Sequence, residues 1–157
     1  MAETKKKSTL TEAEQAYIYV CRLLTRKEYT IHEIRKKLWN KEFGKEVVRD
    51  TIGEFIRLGY LDDEKYVGKY VRTRLNLSPR GEFLLRMELK RKGVKEEIID
   101  KYFFENPVDE IEAAQEFLRR KERTLQRLEP SKRRTKTAYF LKSKGFKIDT
   151  QRKILYS

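Results

Sequence analysis

Apolar residues recur along this chain at helical spacing, in short runs closed by glycine or proline. Thr11-x-x-Glu14 reads as a capping box, and Ala13, Ala16, Tyr17, Val20 and Leu24 behind it predict an amphipathic first helix, with Cys21 as a small core filler. Thr30-x-x-Glu33 opens a second helix with Ile31, Ile34 and Leu38 in one stripe; Gly44 interrupts, after Phe43 as a plug. Val47, Val48, Ile52, Phe55 and Ile56 form a third helix ended by Gly59. Its internal Gly53 costs about 1 kcal/mol against alanine, which suggests close helix packing there. Tyr66, Val67, Tyr70, Val71 and Leu75 predict a fourth helix. Ser78-Pro79 reads as cap and first residue of a fifth, with Phe83, Leu84, Leu85 and Leu89, ending at Gly93. Val94 plugs, and Ile98, Ile99, Tyr102 and Phe103 make a short sixth. Asn106-Pro107 starts a long seventh, with Ile111, Ala114, Leu118 and Leu125 in its stripe, broken at Glu129-Pro130-Ser131. An eighth runs through Tyr139, Phe140 and Leu141 to Gly145; after the plug Phe146, Asp149 caps a short last helix with Ile154 and Leu155. No alternating pattern predicts a strand.

The pattern repeats. A shift of 51 residues carries Val20 onto Val71, Leu24 onto Leu75, Ile34 onto Leu85, Leu38 onto Leu89 and Ile52 onto Phe103. A shift of 52 carries Lys90-Arg91-Lys92-Gly93-Val94 onto Lys142-Ser143-Lys144-Gly145-Phe146. The fold class expected is all-α, an elongated, curved array of three tandem three-helix repeats. Their ranges are 11–61, 62–105 and 106–157, after a disordered basic tail over 1–10. In the third repeat Thr150 and Gln151 stand where Ile98 and Ile99 stand in the second, so its last helix is expected to pack weakly.

The stretch Leu58-Gly59-Tyr60-Leu61-Asp62-Asp63-Glu64-Lys65-Tyr66 is the seam between the first two repeats. Gly59 suits a left-handed helix stop. Tyr60 and Leu61 are expected to plug into a core, Asp62 or Asp63 to cap the next helix, and Tyr66 to open its apolar face.

Composition narrows the function. Net charge is +13, from 38 Lys and Arg against 25 Asp and Glu, which favours a polyanionic partner, nucleic acid first and an anionic membrane surface second. No apolar run approaches the length of a membrane span, and the basic, polar N-terminus is no signal peptide. With one cysteine and one histidine, Cys21 and His32, neither an internal disulfide nor a Cys/His metal cluster is expected. There is no Gly-rich phosphate loop. A cytoplasmic monomer without cofactor, and not an enzyme, fits best.

The charge is uneven. Residues 106–157 carry 14 basic and 7 acidic side chains, net +7, against +4 (13 and 9) over 1–61 and +2 (11 and 9) over 62–105. Arg119, Arg123 and Arg127 share a face of the seventh helix, and Lys132, Arg133, Arg134 and Lys136 crowd the start of the eighth, against the helix dipole. A solvated, partly paired face is the plain alternative, but the cluster is too one-sided to be neutralised internally. Tyr139 and Phe140 could stack on bases, although at least one of them suits the core. Trp39, Tyr29 and His32 read as structural.

The seam stretch, followed by Tyr70-Val71-Arg72-Thr73-Arg74, resembles the most recognisable part of the bacterial recombination regulator family RecX. Ala16-Tyr17, Arg22-Leu23-Leu24-Thr25-Arg26-Lys27-Glu28-Tyr29-Thr30, Glu33-Ile34 and Lys37-Leu38 are similar to that family's first repeat. Arg80-Gly81 and Leu89-Lys90-Arg91-Lys92-Gly93-Val94 are similar to its second. The likeness covers about residues 13–104, and the third repeat only by pattern. It implies an all-helical, non-enzymatic modulator that binds the RecA recombinase. Such a protein lies in the groove of the RecA filament on single-stranded DNA and suppresses strand exchange, ATP hydrolysis and coprotease activity. Contact candidates are Arg72, Arg74, Arg80, Arg119, Arg123, Arg127, Lys132, Arg133, Arg134 and Lys136. Arg72 and Arg74 could instead brace neighbouring repeats. A direct DNA-binding regulator of helix-turn-helix type is the alternative, though no recognition helix or dimerisation heptad stands out.

Overall fold

The computed structural model describes residues 9–157, so residues 1–8 of the expected basic tail lie outside it. Among the described residues every regular element is a helix. The chain divides into two compact units, Met1–Asp62 and Asp63–Ser157.

The first unit is one three-helix repeat: α1 (Glu12–Arg26), α2 (Ile31–Asn40) and α3 (Lys45–Arg57). Both expected capping boxes are formed, on Thr11 and Thr30. Ala16, Val20, Leu23, Ile34, Leu38, Val48, Ile52, Phe55 and Leu61 make its core. Cys21 and Tyr29 pack against that core from its edge. Gly44 is not a helix stop: it is the residue before α3, and its N–H donates to Glu12 Oε1 at 2.7 Å. The stop of α2 falls on Glu42, which holds φ +63° while Phe43 N–H donates back to the Leu38 carbonyl. Gly53 faces open space, so it serves no close helix approach.

The second unit holds the other two repeats. α4 (Asp63–Leu77), α5 (Glu82–Arg91) and α6 (Glu96–Glu105) build one. α7 (Glu110–Arg120), α8 (Glu122–Gln126), α9 (Pro130–Ser143) and α10 (Ile148–Leu155) build the other. Their cores, around Leu85, Leu89 and Ile99 and around Ala114, Phe117 and Leu141, share Leu75 and Val108 as partly buried neighbours. Three expectations shift here. α5 starts after Gly81 rather than at Ser78-Pro79, and α7 starts after Asp109, whose carboxylate accepts from Glu112 N–H, rather than at Asn106-Pro107. The long seventh helix is two helices, broken at Lys121. Its buried face carries Ala113, Ala114 and Phe117, with Leu118 partly buried against the same core.

Three of the helix stops share one geometry. After α3, α5 and α9, a glycine with positive φ (Gly59, Gly93, Gly145) is followed by a residue whose N–H reaches back five positions, to Phe55, Leu89 and Leu141. This is a Schellman closure, and it satisfies carbonyls the helix leaves unpaired. Glu42 fills that role in the first repeat without glycine's freedom. Glu42→Gly is therefore expected to stabilise the first unit by about 1 kcal/mol, the cost of the left-handed conformation for an L-residue. Urea unfolding followed through Trp39, the chain's one tryptophan, checks this. A midpoint no higher than that of Glu42→Ala would refute it.

At the seam, Gly59 closes α3, and Leu61 is buried in the first core. Tyr60 does not plug: it is 67% exposed and meets Phe55 edge-on, ring centroids 6.3 Å apart. α4 begins at Asp63, which is buried, and Tyr66 stacks on Tyr70 at 6.0 Å in the second unit.

α10 is seated by polar contacts where apolar ones were missing. The Thr150 hydroxyl donates to Glu110 Oε2 at 2.9 Å, and the Gln151 amide donates to the Phe146 carbonyl at 2.7 Å. Ile154 and Leu155 pack on the third core. Thr150 and Gln151 thus replace apolar anchors with satisfied hydrogen bonds instead of loosening the helix.

Candidate polyanion-binding surface

α9 carries Lys132, Arg133, Arg134, Lys136 and Lys142, and no acidic residue lies between Glu129 and Asp149. Pro130 starts it, because proline's fixed φ suits the first helical position. The cations of its first turns sit on a helix end that itself carries partial positive charge. Among the described residues, none of Arg123, Arg127, Lys132, Arg134 and Lys136 has a carboxylate within ion-pair reach. This face is uncompensated charge.

The members of the cluster are not equivalent. Arg133 turns back onto the end of α8, its guanidinium donating to the carbonyls of Leu125 (3.0 Å), Gln126 (3.4 Å) and Leu128 (3.2 Å). It is a clasp between α8 and α9. Arg134 lies over the Tyr156 ring at 4.4 Å. Lys132 and Lys136 line a shallow groove with Leu128, Ser131, Thr135 and Tyr139. Tyr139 is 62% exposed there, whereas Phe140 packs edge-on to Phe117 at 6.0 Å. The two neighbouring rings thus split, one outward and one into the core.

The other candidates fall elsewhere. Arg119 pairs with Glu116, and so does Arg120. Hydrogen bonding from Arg120, helped by the charge of Arg119, holds the Glu116 carboxyl below its usual range. Because the helix breaks at Lys121, Arg119, Arg123 and Arg127 do not form one continuous ridge: they sit on α7, on α8 and at the end of α8. Arg72 is exposed beside Gly68, where an added Cβ would meet its guanidinium nitrogen at 3.1 Å. Arg80 is only 8% exposed; it pairs with Glu88 and donates to the Ser78 carbonyl at 3.0 Å. The Tyr70 hydroxyl bonds the other Glu88 oxygen at 3.0 Å, and Arg74 lies 5.1 Å over the Tyr70 ring. Burial raises the Tyr70 phenol, while its hydrogen bond to Arg74 raises the arginine. Arg80 is a brace inside the second unit, not a surface contact.

Several residues escaped the sequence. Arg120 donates to the carbonyls of Leu77 and Asn76, both at 2.8 Å, and so ties α7 to the end of α4. Glu110, 7% exposed, accepts from Glu82 N–H at 3.0 Å and from Lys147 N–H at 2.9 Å, besides Thr150. One carboxylate thereby serves the starts of α5 and α10. A lysine at the end of each repeat's second helix also sits over an aromatic ring of its first helix. Lys41 stands over Tyr19, Lys92 over Tyr70 and Lys144 over Phe117, each 5.6 Å from the centroid. The echo of Lys92 in Lys144 was the one sequence signal for this device.

No helix among the described residues is long and apolar enough to cross a membrane, and none of their His, Cys, Asp and Glu side chains group as a metal site.

Comparison with known proteins gives these features a setting. Residues 16–55 match the model of the RecX first three-helix domain, 62–102 that of the second and 108–155 that of the third. The chain is 33% identical over 147 residues to the regulatory protein RecX of Trichlorobacter lovleyi, covering 91% of this chain and 95% of that one. It is 30% identical over 139 residues to the regulatory protein RecX of Bacillus cytotoxicus, covering 88% of this chain and 52% of that longer relative. The crystal structure of RecX from Lactobacillus salivarius has the same fold, with a TM-score of 0.79 at 21% identity over 92% of this chain and 94% of that one. All three tandem three-helix domains are matched, in order and across both units, and the chain belongs to the RecX family of regulatory proteins.

Proposed function

We propose that this chain is a cytoplasmic regulator that binds the RecA recombinase and its filament on single-stranded DNA. Lying in the filament groove, it restrains strand exchange, ATP hydrolysis and coprotease activity. Family membership supports the partner, as the resemblance of the seam and its flanks implied. The observation that carries the DNA half is α9: cations without ion pairs, bordering a groove with an outward tyrosine. Such a face suits a flexible strand, with phosphates on Lys132, Arg134 and Lys136 and a base on Tyr139. Contacts of this kind ignore sequence and weaken with salt.

RecA-dependent ATP hydrolysis on single-stranded DNA tests the reading. Substoichiometric protein is expected to inhibit it strongly, and no inhibition at any ratio would sink the proposal. Lys132→Glu with Arg134→Glu is expected to weaken single-strand binding at least about thirtyfold at low salt and to blunt inhibition, with the fold intact by circular dichroism. Arg133 is left in place because its clasp on α8 would confuse folding with binding. Tight, sequence-selective duplex binding without RecA would instead favour a helix-turn-helix regulator.

A further inference from the structure

A second group of cations gathers where the two repeats of the second unit meet. Lys144 ends α9 and Lys121 lies at the α7–α8 break; both stand over the Phe117 ring, at 5.6 and 5.9 Å. Arg80 is buried and close enough to repel Lys144, as is Arg74, and Arg74 and Lys92 flank the Tyr70 ring at 5.1 and 5.6 Å. Glu88 lies in this group, its two carboxylate oxygens already bonded by Arg80 and Tyr70.

The helix end and the aromatic ring should both favour a charged Lys144. Its pKa is nevertheless lowered, by burial first and then by repulsion from Arg80 and Lys121. The ammonium has no carboxylate within ion-pair reach among the described residues. A half-buried cation crowded by other cations is a cost to folding, and such costs concentrate at sites that meet a ligand.

The backbone around it is locked. Gly81 N–H donates to the Lys144 carbonyl at 2.8 Å, and the chain at Gly81 runs directly against Gly145 and Phe146. The place also neighbours the α9 groove across one ring. Phe140 has Lys136 of the groove at 5.0 Å and Lys121 of the joint at 5.8 Å from the same ring centre.

We propose that this joint is a phosphate-binding site, with Lys121 and Lys144 as its ligating cations and Arg74 and Arg80 as their background field, and that it takes a backbone phosphodiester of the strand entering the Tyr139 groove. The site extends the DNA-binding reading above and rests on it. It adds a contact between repeats, so a strand would be held by the body of the second unit and not by one helix.

Anisotropy of a labelled oligo(dT) across a salt series tests this on the full chain, with Lys144→Met and the double variant Lys121→Met/Lys144→Met. Methionine keeps the apolar stem on Phe117 and removes the charge. The double variant is expected to bind about tenfold more weakly at low salt, with a salt slope shallower by about 1.4, at roughly 0.7 per phosphate contact in single strands. Its melting temperature is expected to equal or exceed that of the wild type, because repulsion is relieved. An unchanged affinity and slope in a chain that does bind the strand overturns the site, and so does a lowered melting temperature, which would make Lys144 a brace. A wild type that binds no strand fells the DNA reading instead. Inorganic phosphate then decides: a melting temperature raised by phosphate in the wild type and not in Lys144→Met keeps the site for a free phosphate, and no rise overturns it.

Discussion

Glu110→Ala is expected to lower the stability of the second unit by about 3 kcal/mol, because three donors lose one buried acceptor. Two are backbone N–H groups at the starts of α5 and α10, which have no side-chain cap of their own. The third is the Thr150 hydroxyl, 6% exposed as a residue and unable to turn to water without moving the helix. Removing an ordinary cap costs about 1 kcal/mol; here two helix starts and a buried hydroxyl share the loss. Denaturant unfolding monitored by circular dichroism reads the effect. Glu112→Ala, on the exposed side of the same turn, should cost little by comparison. A loss below 1 kcal/mol for Glu110→Ala would mean that water replaces the carboxylate at both helices.

Gly81→Ala is expected to be at least as damaging, about 3 kcal/mol, for a steric reason. A Cβ there would lie 2.7 Å from Phe146 Cα and closer still to the Gly145 carbonyl. Backbone cannot rotate aside as a side chain can, so the two repeats must part and give up the Gly81–Lys144 hydrogen bond. Gly145→Ala strikes the same contact from the other side, with Leu84 Cβ at 2.7 Å and φ at +72°. The double variant should therefore cost clearly less than the sum of the singles, since the interface opens only once. Additive costs would show that the glycines act separately. Gly53→Ala, in open space, is the control and should not destabilise.

The helices were legible because each apolar stripe is local information. Val20, Ile34 and Leu38 lie in one core, and Val71, Leu85 and Leu89 in the next, as the 51-residue shift required. Helix starts were legible where the cap is also local, as at Thr11 and Thr30. They were misread at Pro79 and Pro107, where proline looked like a first helical residue. Pro79 precedes α5 by three positions, and that helix start takes its acceptor from Glu110, 28 residues away from Glu82. The long seventh helix was misread because nothing at Lys121 announces a break; Arg133, reaching from the next helix, closes the far end of α8. For the surface, charge density pointed to α9, but which cations stay free depends on partners distant in sequence. Arg80 went inside to Glu88, Arg133 to three carbonyls, and Lys144, unremarked as a cation, came to stand among arginines.

The placement of Glu110 also bears on how the chain comes off the ribosome. The first unit closes with its own residues, Glu12 serving Gly44 and Leu61 completing the core. It can fold as soon as it emerges, since its contacts are local and fast to form. The repeat that follows cannot finish in the same way. Its α5 start waits for Glu110, and its Gly81 for Lys144, residues made later in synthesis. At 5–20 residues per second that wait is on the order of seconds. For that interval the start of α5 lacks its Glu110 acceptor and Gly81 lacks the Lys144 carbonyl, so the second repeat completes its hydrogen bonds only when the third has been made.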